Sequence, residues 1–183
     1  MLNSSSCAEA LWTNFFSTIG LDLDGTVVNR NIDASGYPDM FATEYDNYAK
    51  AGIVPGAATG AEDKTIIETA LRSYTTVSPP SSYITVTTLA TAFANYWSTV
   101  LVTPGAPAHG GTVVISVVND AMAKVSLFEE AIWASLTSSR SEPFFYNFIN
   151  NIERIAVSSI IWSVTELIPG DPPSASSFPE TIS

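Results

Sequence analysis

Apolar residues recur along most of this chain at the spacing of an α-helix, and turn-forming residues separate each apolar stripe from the next. Over residues 7–19, Leu11, Phe15 and Ile19 share one face, widened by Trp12 and Phe16. Asn3 to Ser6 offers capping side chains before this segment, and Gly20 closes it. Pro38 suits the first position of a second helix, in which Met40, Phe41, Tyr45 and Tyr48 repeat until Gly52. Thr59 and Glu62 form a capping box ahead of a third, whose stripe is Ile66, Ile67, Ala70, Leu71 and Tyr74. A fourth helix, from about Val86, carries Leu89, Phe93, Tyr96, Trp97, Val100 and Leu101 on one face. Ser126 and Glu129 make another capping box, followed by Leu127, Phe128, Ala131, Ile132 and Leu136. The longest stripe opens at Ser141 and Pro143 and predicts a helix over 143–168. Phe145, Ile149, Ile152, Ala156, Ile160, Val164 and Leu167 line one side, and Asn147, Asn150, Asn151, Glu153 and Arg154 the other. Pro169 and Gly170 stop it.

Two stretches break this rhythm. Residues 20–37, with Gly25, Asn29, Asn31, Asp33, Ser35 and Gly36, read as an irregular loop with room for a short strand at Thr26 to Val28. Residues 112–118, TVVISVV, hold five Val or Ile in seven positions, which favours a strand. Yet Val114, Val118, Ala121, Met122 and Val125 also fit a buried helix, with Thr112 as N-cap after two glycines. Periodicity leaves both open, and the expectation is a helix.

The pattern therefore predicts a mostly α fold, a single helical domain of about six helices over 1–168 with extended N- and C-terminal arms. The C-terminal arm, 169–183, is PGDPPSASSFPETIS, rich in Pro and Ser. Neither it nor residues 1–6 has the apolar periodicity to hold itself on its own domain. Both are expected to pack on other chains, with Phe178 and Ile182 as the interface residues of the tail.

Composition sharpens this picture. Charged residues make up 14% of the chain, against roughly 25% in ordinary soluble domains. Apolar residues make up 46%, and the mean hydropathy is +0.21. Ser and Thr together outnumber all charged residues. A lone monomer relies on a charged surface to stay dispersed, so copies of the chain or a partner protein are expected to cover much of this one. With 18 acids against 7 bases the net charge is -11. Arg30, Lys50, Lys64, Arg72, Lys124, Arg140 and Arg154 form no run, which argues against direct nucleic-acid binding and against an anionic membrane surface. No apolar run approaches the ~20 residues of a membrane span. Cys7 is the only cysteine and allows no intrachain disulfide. No basic and apolar segment precedes LNSSSC, so Cys7 is not read as an acylation site, and the chain is expected to be made in a reducing cytoplasm.

Candidate chemistry is sparse. LDLDGTVV at 21–28 resembles the D-x-D-G-T nucleophile motif of the haloacid dehalogenase-like phosphatases. The resemblance implies Asp22 as nucleophile and Asp24 as general acid and base, with Mg²⁺ neutralising charge. It covers eight residues, and the family's remaining motifs do not follow. Ser17, Thr18 and Gly20 stand where an apolar strand belongs. Ser116 and Lys124 are too close together to enclose a crossover helix and a further strand, and Asp171 lacks an acidic neighbour. The alternative is that Asp22, Asp24 and Gly25 form a solvated turn. His109 lies in PAHGG with no G-x-S-x-G elbow elsewhere, and GAATG at 56–60 lacks the lysine of a phosphate-binding loop. No paired carboxylate or histidine spacing points to a metal, and no cofactor or small-molecule ligand is expected. Trp12, Trp97, Trp133 and Trp162 all fall in predicted helices, where core packing or an interface can use them.

The stretch AFANYWSTVLVTPGAPAHGGTVVISVVNDA, with the acidic, Lys-poor, Ser/Thr/Ala-rich profile of the chain, resembles small structural proteins of tailed-phage virions. The resemblance implies a non-enzymatic subunit in the head, neck, tail or baseplate. Its partners would be other copies of itself and neighbouring virion proteins, and it would be made in the host cytoplasm. The alternatives are the Mg²⁺-dependent phosphatase and a free-standing acidic adaptor.

Overall fold

The computed structural model describes residues 3–18, 36–51, 63–76, 82–100, 112–136, 142–168 and 174–181. Four helices come first: α1 (Ser4–Thr18), α2 (Tyr37–Ala51), α3 (Lys64–Thr76) and α4 (Ser82–Ser98). Strand β1 (Thr112–Asn119) follows, then a 3₁₀ turn (Ala121–Lys124), α5 (Val125–Leu136) and α6 (Glu142–Ser159). Strands β2 (Ile160–Ile168) and β3 (Ser174–Thr181) end the chain. The fold is mostly helical, with six α-helices and a three-stranded sheet among the described residues.

The helix starts follow local chemistry. Asn3 caps α1, its side-chain oxygen accepting the Ser6 N–H at 3.1 Å. Helix α1 thus begins at Ser4, inside the segment expected to be an N-terminal arm. Pro38 stands in the first turn of α2, as expected. Asp63 caps α3 by accepting the Thr65 N–H at 2.9 Å, whereas Thr59 and Glu62 lie outside the described residues. Helix α5 begins at Val125 out of the 3₁₀ turn, so Ser126 sits inside the helix and not at its cap.

The six helices pack in chain order, each against the next, and α1 closes the ring by packing on α6. Every stripe contributes to one core: Leu11 from α1, Phe41 and Tyr45 from α2, Ile67 from α3, Phe93, Tyr96 and Trp97 from α4, Phe128 and Ile132 from α5. Helix α6 supplies Phe145, Phe148, Ile149, Ile152 and Ala156, all buried. Tyr45 is the aromatic centre. Phe93 meets it edge-on at 4.9 Å between centroids and Tyr96 at 5.6 Å, with Trp97 perpendicular at 6.4 Å. Trp12 lies edge-on to Phe145 at 6.3 Å, tying α1 to α6. Leu127, assigned to the stripe of α5, is instead exposed.

Three expectations give way to the sheet. The stretch 112–118 is strand β1, not a helix, as its Val and Ile content allows. The helix expected over 143–168 stops at Ser159, and 160–168 is strand β2. The apolar stripe misleads here because Ile160, Val164 and Leu167 also fit helical spacing, while Ile160, Ile161, Val164 and Thr165 bring β-branched side chains. Third, the tail expected to reach other chains folds back on its own, residues 174–181 pairing antiparallel with β2. Phe178 stands opposite Val164 in this ladder, and Ile182 lies outside the described residues.

The sheet order is β1-β2-β3, all antiparallel. The strands meet the helices mainly where α6 runs into β2. That junction is built from hydrogen bonds at helix ends. The Asn119 side-chain amide donates to the Trp97 carbonyl at 3.0 Å and the Ser98 carbonyl at 3.4 Å, satisfying the end of α4. Its side-chain oxygen accepts the Ala121 N–H at 3.2 Å and so opens the 3₁₀ turn. The Asp120 N–H donates to the Ser159 carbonyl at 3.0 Å, and the Lys124 ammonium donates to the Ser158 carbonyl at 2.6 Å. A cation at a helix C-terminus also complements the helix dipole. Ala121 and Ile160 fill the space beneath, both fully buried.

Two stability changes follow. Ile152→Asp puts an unpaired charge among α6's buried partners and is expected to cost about 4 kcal/mol; a wild-type denaturation midpoint in urea would show that the stripe is not core. Asn119→Ala removes the amide and the acceptor at the sheet root together. It should cost about 1–3 kcal/mol by the same measurement, and a change within experimental error would mean that the three bonds do not hold the root.

Candidate functional site

Two places hold the groups from which a function could be built, one inside the helical ring and one on the sheet. The inner one surrounds Tyr45. Its hydroxyl accepts the Trp97 indole N–H at 2.8 Å. Tyr96 donates from its hydroxyl to Asp46 at 2.9 Å, and Lys50 donates to the other Asp46 oxygen at 2.6 Å. Asp46 is buried, so the ring hydroxyl from inside and the ammonium from the rim together satisfy its charge. Tyr48 donates to Glu153, linking α2 to α6. Cys7 is buried in the same core.

The electrostatics of this cluster suppress reactivity. Burial pushes the Cys7 thiol up to about 12, helped by the negative charges of Glu44 and Glu153. Burial likewise raises the hydroxyls of Tyr45 and Tyr48, and for Tyr48 the neighbouring Tyr45 and Glu153 add to it. The thiolate is the reactive form of cysteine, and at neutral pH Cys7 is a neutral thiol with no exposed face. These groups join helices.

The outer place is the sheet. Residues directly opposite in an antiparallel ladder share a side, so the register defines each surface. Val114 stands opposite Thr165, Ser116 opposite Ser163, Val118 opposite Ile161 and Thr112 opposite Leu167. On this one side Val114 is 48% exposed, Val118 61%, and Ile161 and Leu167 47% each. Val117, which belongs to the opposite side, is exposed as well. Near the sheet root an open groove of about 460 Å³ is lined by Glu153, Arg154, Val157, Ser158 and Ile161. Exposed apolar side chains scattered singly are ordinary, whereas several on one short sheet are an unusual surface for a monomer.

The charge pattern isolates this surface further. Between Arg72 and Asp120 the sequence holds no Asp, Glu, Lys or Arg, and β1 ends that stretch. The first acid after it, Asp120, is paired with Lys124 at 3.1 Å.

The residues singled out from sequence fare unevenly. Asp22, Asp24 and His109 lie outside the described residues, and Ser116 and Lys124 stand on β1 and at the end of the 3₁₀ turn. Among the described residues no group of three His, Cys, Asp or Glu could hold a metal ion. None of their helices is long and apolar enough to cross a membrane. Asn119, Asp120 and Lys124, which fasten the sheet, were not anticipated. The signal for them was the polar pair Asn-Asp directly after a β-branched run.

The buried acids predict alkaline lability. In the unfolded chain the thiol of Cys7 ionises near 9, and in the folded protein near 12. The folded state therefore holds the extra proton between these values, and the stability it represents is present below pH 9 and lost as the pH climbs towards 12. The raised Tyr45 and Tyr48 act in the same sense. The melting temperature should be level from about pH 7 to 8.5 and fall steadily above pH 9; a level value up to about pH 11 would contradict the burial of these groups.

No protein-family model, no curated protein and no solved structure matches this chain.

Proposed function

We propose that this protein is a non-enzymatic structural subunit of a larger protein assembly, and that the assembly is a phage virion. The observation that carries the reading is the sheet. It exposes Val114, Val117, Val118, Ile161 and Leu167, and it meets the helical ring mainly at one junction. Burying such a surface against other protein is favourable by about 25 cal/mol per Å² of apolar area. Two further facts support it. The chain carries few charges for its size, and among the described residues four bases pair within the molecule, Lys50 with Asp46, Lys64 with Asp39, Arg72 with Glu68 and Lys124 with Asp120. The buried thiol and phenols of the ring serve packing. The virion as setting rests on the resemblance of the 92–121 stretch to small phage structural proteins.

The test is sedimentation of particles from cells that produce the protein from its native gene cluster. The chain is expected to travel with high-mass particles and to survive their purification by gradient. Recovery only at the top of the gradient would sink the assembly reading. The non-enzymatic half has its own test, hydrolysis of p-nitrophenyl phosphate with Mg²⁺. No activity is expected; turnover that disappears in Asp22→Asn would assign the chain to the phosphatases instead.

A further inference from the structure

We infer that the free edge of β1 is a self-pairing edge, and that two copies of this chain join antiparallel along it into one continuous six-stranded sheet. The inference rests on the assembly reading and names the contact that would start it.

The two edges of the sheet are not alike. Strand β3 carries Pro179, which has no N–H, and Glu180. Prolines in sheets sit at edges with that gap towards solvent, and edge charges repel further strands, so β3 is blunted. Strand β1 has neither device. Thr112–Asn119 is eight residues long and contains no proline, no glycine and no charge. Among the described residues no strand other than β2 pairs with it. One row of its backbone N–H and C=O groups thus faces outward as a template for another strand.

Three observations select a second copy as the occupant. First, charge. Each chain carries a net charge of -11, so two copies repel wherever carboxylates meet. The edge of β1 is uncharged, and Asp120 beside it is paired with Lys124, so contact there adds no carboxylate pair of its own to the repulsion between the two chains. Second, sequence symmetry. A two-fold axis perpendicular to an antiparallel sheet passes midway between a residue and its own copy directly opposite, because directly opposed residues share a side. Around Ser116 the strand reads almost the same in both directions, with Ile115 and Val117 as first neighbours and Val114 and Val118 as second. Pairing Ser116 with Ser116 of the other copy therefore sets Val114 against Val118 twice. Third, exposure. Val114 and Val118 are among the most exposed large apolar side chains described, and this register covers both in one step.

The experiment uses the purified full chain. Light scattering is expected to give twice the 19.5 kDa of one chain. Val118→Lys places a cation beside an apolar neighbour and should raise the dissociation constant about tenfold or more. Leu127→Lys, an equal change of charge at an exposed site on α5, should leave it unchanged. Circular dichroism checks that both variants keep the wild-type fold. Ser116→Cys should form a disulfide-linked dimer under mild oxidation, whereas the wild type, whose cysteine is buried, should not. Raising the salt should tighten the dimer by screening the repulsion between two acidic chains. A monomer at all concentrations overturns the inference, as does a dimer insensitive to Val118→Lys or a Ser116→Cys chain that fails to link. A monomeric chain that still travels with particles leaves the assembly reading standing while overturning the self-pairing edge. A chain that pairs along β1 yet never travels with particles does the reverse.

Discussion

The end of α6 is the constraint on which the rest of this structure depends. A helix that simply continued through residue 168 would leave no sheet. At its end Ser158 and Ser159 turn their hydroxyls back to the Ile155 carbonyl, at 2.9 and 2.5 Å. Such bonds compete with the helix ladder. The carbonyls released at the end are then taken by groups from the turn after β1, the Asp120 N–H and the Lys124 ammonium. One short segment therefore ends a helix, anchors the strand before it and starts the strand after it. Asn119 adds the end of α4 to the same knot. The cost of leaving helix carbonyls bare is thus met by a structure that also fixes where the sheet leaves the ring.

Within the ring, several polar contacts join one helix to the next. Asn14 of α1 donates to Glu44 of α2 at 3.1 Å, and Lys64 of α3 reaches both Asp39 and Thr43 of α2. Asn151 of α6 donates to Ser135 of α5 at 3.2 Å. Of these only Lys64–Asp39 is an ion pair, and exposed pairs contribute little stability, so the ring depends on its aromatic and aliphatic core. What the pairs do contribute is register, since each fixes how one helix slides against its neighbour. Asp46 is the exception in depth: buried, it needs both the Tyr96 hydroxyl and Lys50, and losing either would strand a charge at the core's rim.

The helical part of the fold was legible because amphipathic periodicity is a redundant signal. Leu11, Phe41, Ile67, Phe93, Ile132 and Ile149 are buried where the spacing put them. The sheet was not, for three different reasons. At 112–118 the spacing fitted a helix and a strand equally, and only pairing with β2 decides. At 160–168 the apolar stripe carried on in phase, and only pairing with the strands on both sides makes the segment a strand. In the tail, Ser174–Thr181 has too few apolar residues to announce a strand; its ladder with β2 comes from backbone groups that carry no sequence signature. The candidate surface inherits that blindness. Its residues were visible as apolar positions, but a valine in a helix core and a valine on an open edge look the same until the topology is known.

The same topology explains why a chain so poor in charge exposes its apolar surface on the sheet. A ring in which each helix packs on the next and the first on the last leaves no helix end of the series without a neighbour. A three-stranded sheet cannot close in that way; it keeps two edges and two sides. Protection by charge is available only where the sequence supplies charge, and β3 has Glu180 together with Pro179 while β1 has nothing of the kind. The helices beside that edge bury their apolar residues in one core, so the contrast lies in topology and not in composition alone. On the proposed assembly reading the exposed valines are positions whose burial another chain completes, and the division of labour is physical: the helices share one core, and the sheet carries the exposed apolar surface.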